Sequence, residues 1–105
     1  MIELKKEFKK GNRTFKQLLK QNCLVIYSVS QPHLDDTNET VWYEVFRRTV
    51  RQKDTFHEDE YEKYPNDEAF GLWAWSCSNL QCVRKVLTNH FAGCNVDAII
   101  AGLQN

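Results

Sequence analysis

Long apolar segments are absent from this 105-residue chain. A helix that crosses a bilayer needs roughly 18–20 consecutive apolar residues, and no stretch of the sequence approaches that length. The N-terminal stretch MIELKKEFKKGNRTF contains basic side chains but lacks the apolar core of a signal peptide. We therefore expect a cytoplasmic protein without membrane attachment. In that reducing compartment its four cysteines are expected to be free thiols, most of them buried.

Net charge is also absent, because 14 Lys and Arg balance 14 Asp and Glu. This balance argues against capture of nucleic acid or anionic membranes by bulk electrostatic attraction, which requires a positive field. The two signs are nevertheless segregated along the chain. Residues 1–20 carry seven basic side chains against two acidic ones, whereas residues 51–69 carry seven acidic against three basic. Such segments are either solvated surface or patches that face a partner.

Recognisable catalytic signatures are missing as well. The four glycines are isolated from one another, which leaves no glycine-rich loop for a phosphate group. No Cys-x-x-Cys pair supports thioredoxin-like redox chemistry, and none of the three histidines lies in a recognisable cysteine-hydrolase signature. We therefore predict no catalytic residue, no cofactor and no enzymatic activity.

One group of residues has the ligand types of a zinc site. Its members follow the spacing C-x4-C-x7-H-x3-C and are Cys77, Cys82, His90 and Cys94. A helix over 78–91 would separate Cys82 from His90 by about 12 Å along its axis and about 80° around it, which is too far for one ion. A zinc- or thiol-dependent protein therefore stays an alternative, and the zinc site requires that this segment is not one helix.

The first part of the chain predicts a β-hairpin, formed by TFKQLLK (14–20) and CLVIYSVS (23–30). Phe15, Gln17 and Leu19 would share one face of the first strand, although leucines in this segment also fit helical spacing. The second segment is rich in β-branched and aromatic residues, and this composition favours two strands over a helix.

Three further segments follow the hairpin. They are a loop, a strand and another strand: QPHLDDTNET (31–40), VWYEVFRRTV (41–50) and FGLWAWSC (70–77). Alternation in the last strand predicts Trp73, Trp75 and Cys77 on one face. Between the last two strands, residues 51–69 form a polar connection without a clear element.

The C-terminal part of the chain predicts two helices. Ser78 and Gln81 match the capping box of a helix N-terminus, and Asn95 can cap a short second helix after Gly93. The first helix has an apolar stripe made of Leu80, Val83, Val86, Leu87 and Phe91. The sequence therefore predicts one α+β domain over 1–105, with an antiparallel sheet of about four strands in ββββ order. A C-terminal helical hairpin would cover one face of that sheet.

The acidic connection 51–69 gives the first functional hypothesis, a small non-enzymatic protein that binds another protein. Nearly twenty residues without an element are unusual in a compact domain, and such segments are often functional. Tyrosine supplies contact area at low entropic cost, so tyrosines among carboxylates suit a protein interface. The predicted binding residues are Tyr61, Tyr64, Glu58, Asp59 and Glu60.

Nucleic-acid binding is the alternative, through the basic N-terminal segment 1–13. The side chains that would contact phosphates are Lys5, Lys6, Lys9, Lys10 and Arg13. Phe8 and Phe15 would serve as stacking groups, or Arg47 and Arg48 would contribute from a strand end. The second predicted helix lacks Lys and Arg, so it does not suit a recognition helix.

The order of motifs along residues 5–91 has a parallel in other sequences. The motifs are KKEFKKGNRTFKQLL, CLVIYSVS, YEVFRR and YPNDEAFGLWAW, the last just before a helix. Together they resemble short uncharacterised accessory proteins carried by phages and conjugative elements of gut bacteria. The resemblance implies a small accessory protein of a mobile element, and under the first functional hypothesis such a protein would engage a host protein. It implies no activity and no functional residue, because that group has no assigned activity.

Overall fold

The computed structural model describes residues 1–33 and 38–104. The strands are β1 Glu7–Lys10, β2 Arg13–Gln21, β3 Leu24–Pro32, β4 Glu39–Arg47, β5 Val50–Arg51, β6 Tyr61–Glu62 and β7 Ala74–Cys77. A 3₁₀ turn spans Asp67–Ala69, and the helices are α1 Leu80–His90 and α2 Val96–Leu103. The loop predicted over 31–40 is shorter than expected, because β3 continues to Pro32 and β4 begins at Glu39. Its residues 34–37 lie outside the described residues.

The main sheet has five antiparallel strands in the order β1-β2-β3-β4-β7. The predicted hairpin and the α+β class are confirmed, with the helices at the C-terminus packing against the sheet. Strand β1 was not predicted. This strand pairs with residues 13–16. It is rich in lysine and only Phe8 packs towards the core, so its composition does not show the alternation typical of a strand.

A β-bulge in β2 changes which face each of its residues occupies. Gln17 pairs with Tyr27 but Leu19 pairs with Ile26, so Leu18 is an extra residue that β3 does not match. Because side chains alternate along a strand, one extra residue moves everything after it to the opposite face. The prediction that Gln17 and Leu19 share a face is therefore wrong.

One face of the sheet, here called the helix face, is covered by α1 and α2. Leu24, Ile26 and Val45 of the sheet pack there against α1 and against Ile100 of α2. Of the predicted apolar stripe, this cluster contains Val83, Val86, Leu87 and the C-cap residue Phe91, but not Leu80. The N-cap of α1 is Asn79, whose Oδ1 accepts a hydrogen bond from the Cys82 amide at 2.8 Å. The predicted cap at Ser78 is therefore wrong by one residue, whereas the predicted cap of α2 is confirmed.

The opposite face, here called the aromatic face, is covered by the chain that precedes β7. Tyr64 lies at its centre, with edge contacts to four rings at centroid distances of 5.0–5.5 Å: Phe8, Phe15, Tyr27 and Phe46. The Tyr64 hydroxyl donates to Glu44 Oε1 at 2.6 Å. Burial, followed by the Glu44 hydrogen bond, raises the pKa of Tyr64 above its ordinary value, so this hydroxyl keeps its proton.

Trp73 belongs to the aromatic face and not to the face of Trp75 and Cys77. The segment before β7 is a turn that contains Gly71 at φ +91°, and the strand itself begins only at Ala74. A residue in a turn does not follow strand alternation, so the predicted common face of the two tryptophans is wrong.

Truncation of Tyr64 should destabilise the fold more than any change in the exposed part of the same segment. We expect Tyr64→Ala to lower the free energy of unfolding by about 3–4 kcal/mol, through lost ring contacts and a cavity. Tyr64→Phe should cost about 1.5 kcal/mol, because the Glu44 carboxylate loses a donor. Urea unfolding measures both, with Tyr61→Phe as a control within about 0.5 kcal/mol. Equal effects at the two positions would contradict the assignment of Tyr64 to the core.

Candidate functional site

The predicted polar connection contains a short hairpin. Val50 pairs with Glu62 and Arg51 with Tyr61, so β5 and β6 form an antiparallel ribbon apart from the main sheet. The prediction that 51–69 lacks regular elements is therefore wrong. The residues between the two strands, 52–60, are here called the acidic loop.

Asp54 fixes the conformation of the acidic loop. Its Oδ1 accepts hydrogen bonds from the backbone amides of Phe56 and His57, each at 2.9 Å, and lies 3.0 Å from His57 Nδ1. The His57 ring stacks on Tyr61 at 3.7 Å between centroids, which ties the loop to β6. The hydrogen bond from the His57 side chain, followed by that from the Phe56 amide, holds the pKa of Asp54 below its ordinary value.

Phe56 lies at the tip of this ordered loop with 90% of its surface exposed. A phenylalanine gains about 1.5–3 kcal/mol when it is fully buried, so a ring held in water is a group that favours burial elsewhere. Glu58 and Asp59 beside it are exposed and Glu60 is half-buried. The loop therefore presents one apolar ring next to carboxylates.

The predicted binding residues divide into two groups in the structure. Glu58, Asp59 and Glu60 lie in the acidic loop, and Tyr61 begins β6 next to it. Asp59 Oδ2 is paired with the Met1 amine at 2.8 Å. Tyr64 lies on the aromatic face instead, among core rings. Phe56 was missed, although a lone phenylalanine two residues after an aspartate matches an Asx turn that displays its side chain.

The base of the acidic loop is held by the carboxylate of Glu62, whose side chain is fully buried. Its oxygens accept hydrogen bonds from Lys20 Nζ at 2.5 Å, from the Leu4 amide at 3.0 Å and from Arg48 Nε. Burial alone would raise the pKa of Glu62. The hydrogen bonds from Lys20, Leu4 and Arg48 outweigh it and hold this pKa below its ordinary value.

The basic segment 1–13 has exposed cationic side chains, but the aromatic rings predicted to stack on nucleic-acid bases pack within the protein. The exposed side chains are Lys5, Lys6, Lys9, Lys10 and Arg13. Phe8 and Phe15 stack on each other at 4.6 Å in the aromatic face, and Phe15 is only 5% exposed, so the expectation that they stack on bases is wrong. Arg47 donates to the His90 carbonyl and Arg48 to Glu62, so both guanidinium groups already serve the fold.

The predicted zinc ligands are brought together only in part. Cys77 Sγ lies 2.6 Å from Cys82 Sγ, whereas the His90 ring stacks on Trp75 at 4.2 Å between centroids. Helix α1 is unbroken from Leu80 to His90, the condition under which the zinc alternative fails. Within residues 1–33 and 38–104, no group of three or more His, Cys, Asp or Glu side chains is placed to hold a metal ion.

A groove of about 1180 Å³ opens between the β2–β3 turn and α2. Its apolar walls come from Leu18, Leu19, Ile99 and Leu103. The guanidinium of Arg47 at its rim is engaged by the His90 carbonyl and lies 4.8 Å from the Phe91 ring centre. The groove therefore offers apolar contact but no assembled catalytic pair among its described residues.

Comparison with known proteins assigns no family to this chain. No protein-family model matches it, and the searches of curated proteins and of solved structures found no match. In the described part of the chain, neither helix has the length and apolar character needed to cross a bilayer. In the acidic loop, a hydrogen-bonded backbone and an exposed aromatic ring occur together.

Replacement of Asp54 should release the acidic loop without unfolding the domain. In Asp54→Ala the Phe56 and His57 amides lose their acceptor, and we expect the ¹⁵N order parameter of Phe56 to fall below about 0.6. Asp54→Asn keeps a side-chain oxygen at the same place and should retain an ordered loop. Glu58→Ala is the matched loop control. An order parameter unchanged in Asp54→Ala would show that other contacts order the loop.

Stability should fall in acid because of Glu62. Its folded pKa lies below its unfolded pKa, so its contribution is present above about pH 4.3 and is lost as pH falls towards the folded value. Glu62→Gln should lower the free energy of unfolding at pH 7 by about 2–3 kcal/mol. It should also flatten the acid limb in urea unfolding between pH 3 and pH 7. Glu68→Gln, on an exposed side chain outside this ion-pair cluster, is the control. An equal loss of stability in acid for the wild type and Glu62→Gln would contradict the assignment.

Proposed function

We propose that this protein is a small non-enzymatic binding protein that engages a protein partner through the acidic loop. The observation that carries the proposal is the 90% exposure of Phe56 on a loop whose backbone is held by Asp54. Aromatic side chains that enter a partner's pocket supply most of the affinity in many interfaces. Phe56 is the anchor residue in this proposal.

The fixed conformation of the loop supports this role. A flexible loop loses conformational entropy when a partner immobilises it, and that loss reduces affinity. Here the Asp54 hydrogen bonds and the stacking of His57 on Tyr61 hold the loop before any partner arrives. The ordering has no evident role in the core, because Phe56 points into solvent and packs against no core residue in the described chain.

The charge around Phe56 indicates the chemistry of the partner. Glu58 and Glu60 follow Phe56 in the chain within the acidic loop, while Asp54 and Asp59 are engaged within the protein. A partner with an apolar pocket and a basic rim would complement this surface. Rim charges of this kind mainly speed association and make it dependent on salt.

The biological setting in this proposal follows from the motif resemblance. Accessory proteins of phages and conjugative elements act inside a host cell, so the partner would be a host protein in the cytoplasm. The four free thiols fit a reducing compartment. Nucleic-acid binding has less support, because the core holds Phe8 and Phe15 and the fold uses Arg47 and Arg48.

A photo-crosslinking amino acid at position 56 tests the proposal. Benzoylphenylalanine in place of Phe56 should crosslink one discrete protein in the cells that carry the chain. The matched control is the same substitution at Leu72, which is 76% exposed but lies outside the acidic loop. Crosslinks that are absent at position 56, or equal at positions 56 and 72, would overturn the proposal.

The captured partner then allows a quantitative test on purified proteins. Phe56→Ser should weaken binding by about 30- to 100-fold, the loss typical of an interface anchor. Leu72→Ser should leave the affinity within about twofold. Glu58→Gln combined with Glu60→Gln should mainly slow association and reduce its salt dependence. Unchanged affinity in Phe56→Ser would remove Phe56 from the interface.

A further inference from the structure

The corner between β7 and α1 brings two thiols into contact. β7 ends at Cys77, the chain turns through two residues, and Cys82 lies in the first turn of α1. The cap at Asn79 accepts from the Cys82 amide at 2.8 Å, which fixes the direction of this turn. As a result Cys77 Sγ and Cys82 Sγ lie 2.6 Å apart.

The two sulfur atoms differ in their access to solvent. Cys77 is 1% exposed and packs within the helix-face core, whereas Cys82 is half-buried at its edge. A reagent in solution can therefore reach Cys82 but not Cys77. Two thiols in contact, one of them open to solvent, are the arrangement that thiol–disulfide exchange needs.

We propose that Cys77 and Cys82 form a reversible intramolecular disulfide when the protein meets a low-molecular-weight disulfide such as oxidised glutathione. The bond would join the end of β7 to the first turn of α1. Its formation needs little movement, because the two sulfur atoms are already neighbours across the corner.

The reaction takes place in two exchanges. The Cys82 thiolate first attacks one sulfur of oxidised glutathione, breaks its S–S bond and releases one glutathione thiolate. Cys77 then loses its proton to solvent or to the released thiolate and attacks Cys82 Sγ, which expels the second glutathione. In total the two protein thiols lose two electrons and two protons, and one glutathione disulfide becomes two glutathione thiols.

The order of the two exchanges follows from the environment of each thiol. Burial, followed by the hydrogen bond with Cys82, raises the pKa of Cys77 to about 12, so Cys77 is not the first nucleophile. Cys82 is half-buried at the edge of the core, so a disulfide in solution meets this sulfur atom first. Cys77 attacks second, and its proximity to Cys82 compensates for its low thiolate fraction.

Mass spectrometry of the oxidised protein tests the proposal. The folded protein is incubated with oxidised glutathione, then unfolded and alkylated to trap free thiols. We expect one internal crosslink between the peptides that contain Cys77 and Cys82, with the loss of two hydrogen masses and reversal by dithiothreitol. Cys23 and Cys94, in two different turns, should be recovered alkylated or glutathionylated but not crosslinked to either residue.

Two variants separate the roles of the two cysteines. Cys77→Ser should stop the reaction at a Cys82–glutathione mixed disulfide, whereas Cys23→Ser should form the internal crosslink at the wild-type rate. Circular dichroism checks that each variant is folded, and Cys77→Ala replaces Cys77→Ser if the hydroxyl disturbs the core. A wild-type protein that keeps all four thiols, or that carries only mixed disulfides, overturns the proposal.

Discussion

The buried carboxylate of Glu62 connects parts of the chain that the main sheet leaves apart. It accepts hydrogen bonds from the amide of Leu4, from Lys20 near the end of β2 and from Arg48 just after β4. A buried carboxylate without such partners would be costly, so the three donors and the β5–β6 ribbon depend on one another. The acidic loop begins and ends on this ribbon. Its position relative to the sheet is therefore set by the buried carboxylate of Glu62.

The position of Glu62 also directs the following chain onto the aromatic face, opposite the face that the helices cover. Once Glu62 fixes the end of the ribbon, the next residues pass over the aromatic face, where Tyr64 meets four rings. Strand β3 lies between this face and the helix face, and its residues 24–27 are all buried. A central strand buried on both sides has a continuous apolar run, which is the pattern of CLVIYSVS.

Local patterns predicted most of the fold, and they failed where pairing between distant segments decides the outcome. The β2–β3 hairpin and the apolar stripe of α1 depend on neighbouring residues. The hairpin is confirmed, and so is the stripe except for Leu80, which lies outside the helix-face cluster. The bulge at Leu18 is decided by the register against β3, so alternation within β2 alone could not show it. The exposure of Phe56 is likewise decided by β5–β6 pairing, and in sequence it is only an aromatic residue in a polar segment.

In the structure, fewer carboxylates of the acidic segment are free to contact a partner than its sequence suggests. Asp54 orders the loop, Asp59 pairs with the Met1 amine and Glu62 is buried, so these three carboxylates serve the fold. The charge at the tip is therefore smaller than the sequence suggests, and an apolar ring carries more of the proposed contact. The thiol pair at the β7–α1 corner lies on the helix face, in a different hydrophobic cluster from Tyr64. The sheet separates the two clusters. Oxidation of the thiols and binding through the acidic loop are therefore independent hypotheses, and a negative result for one does not bear on the other.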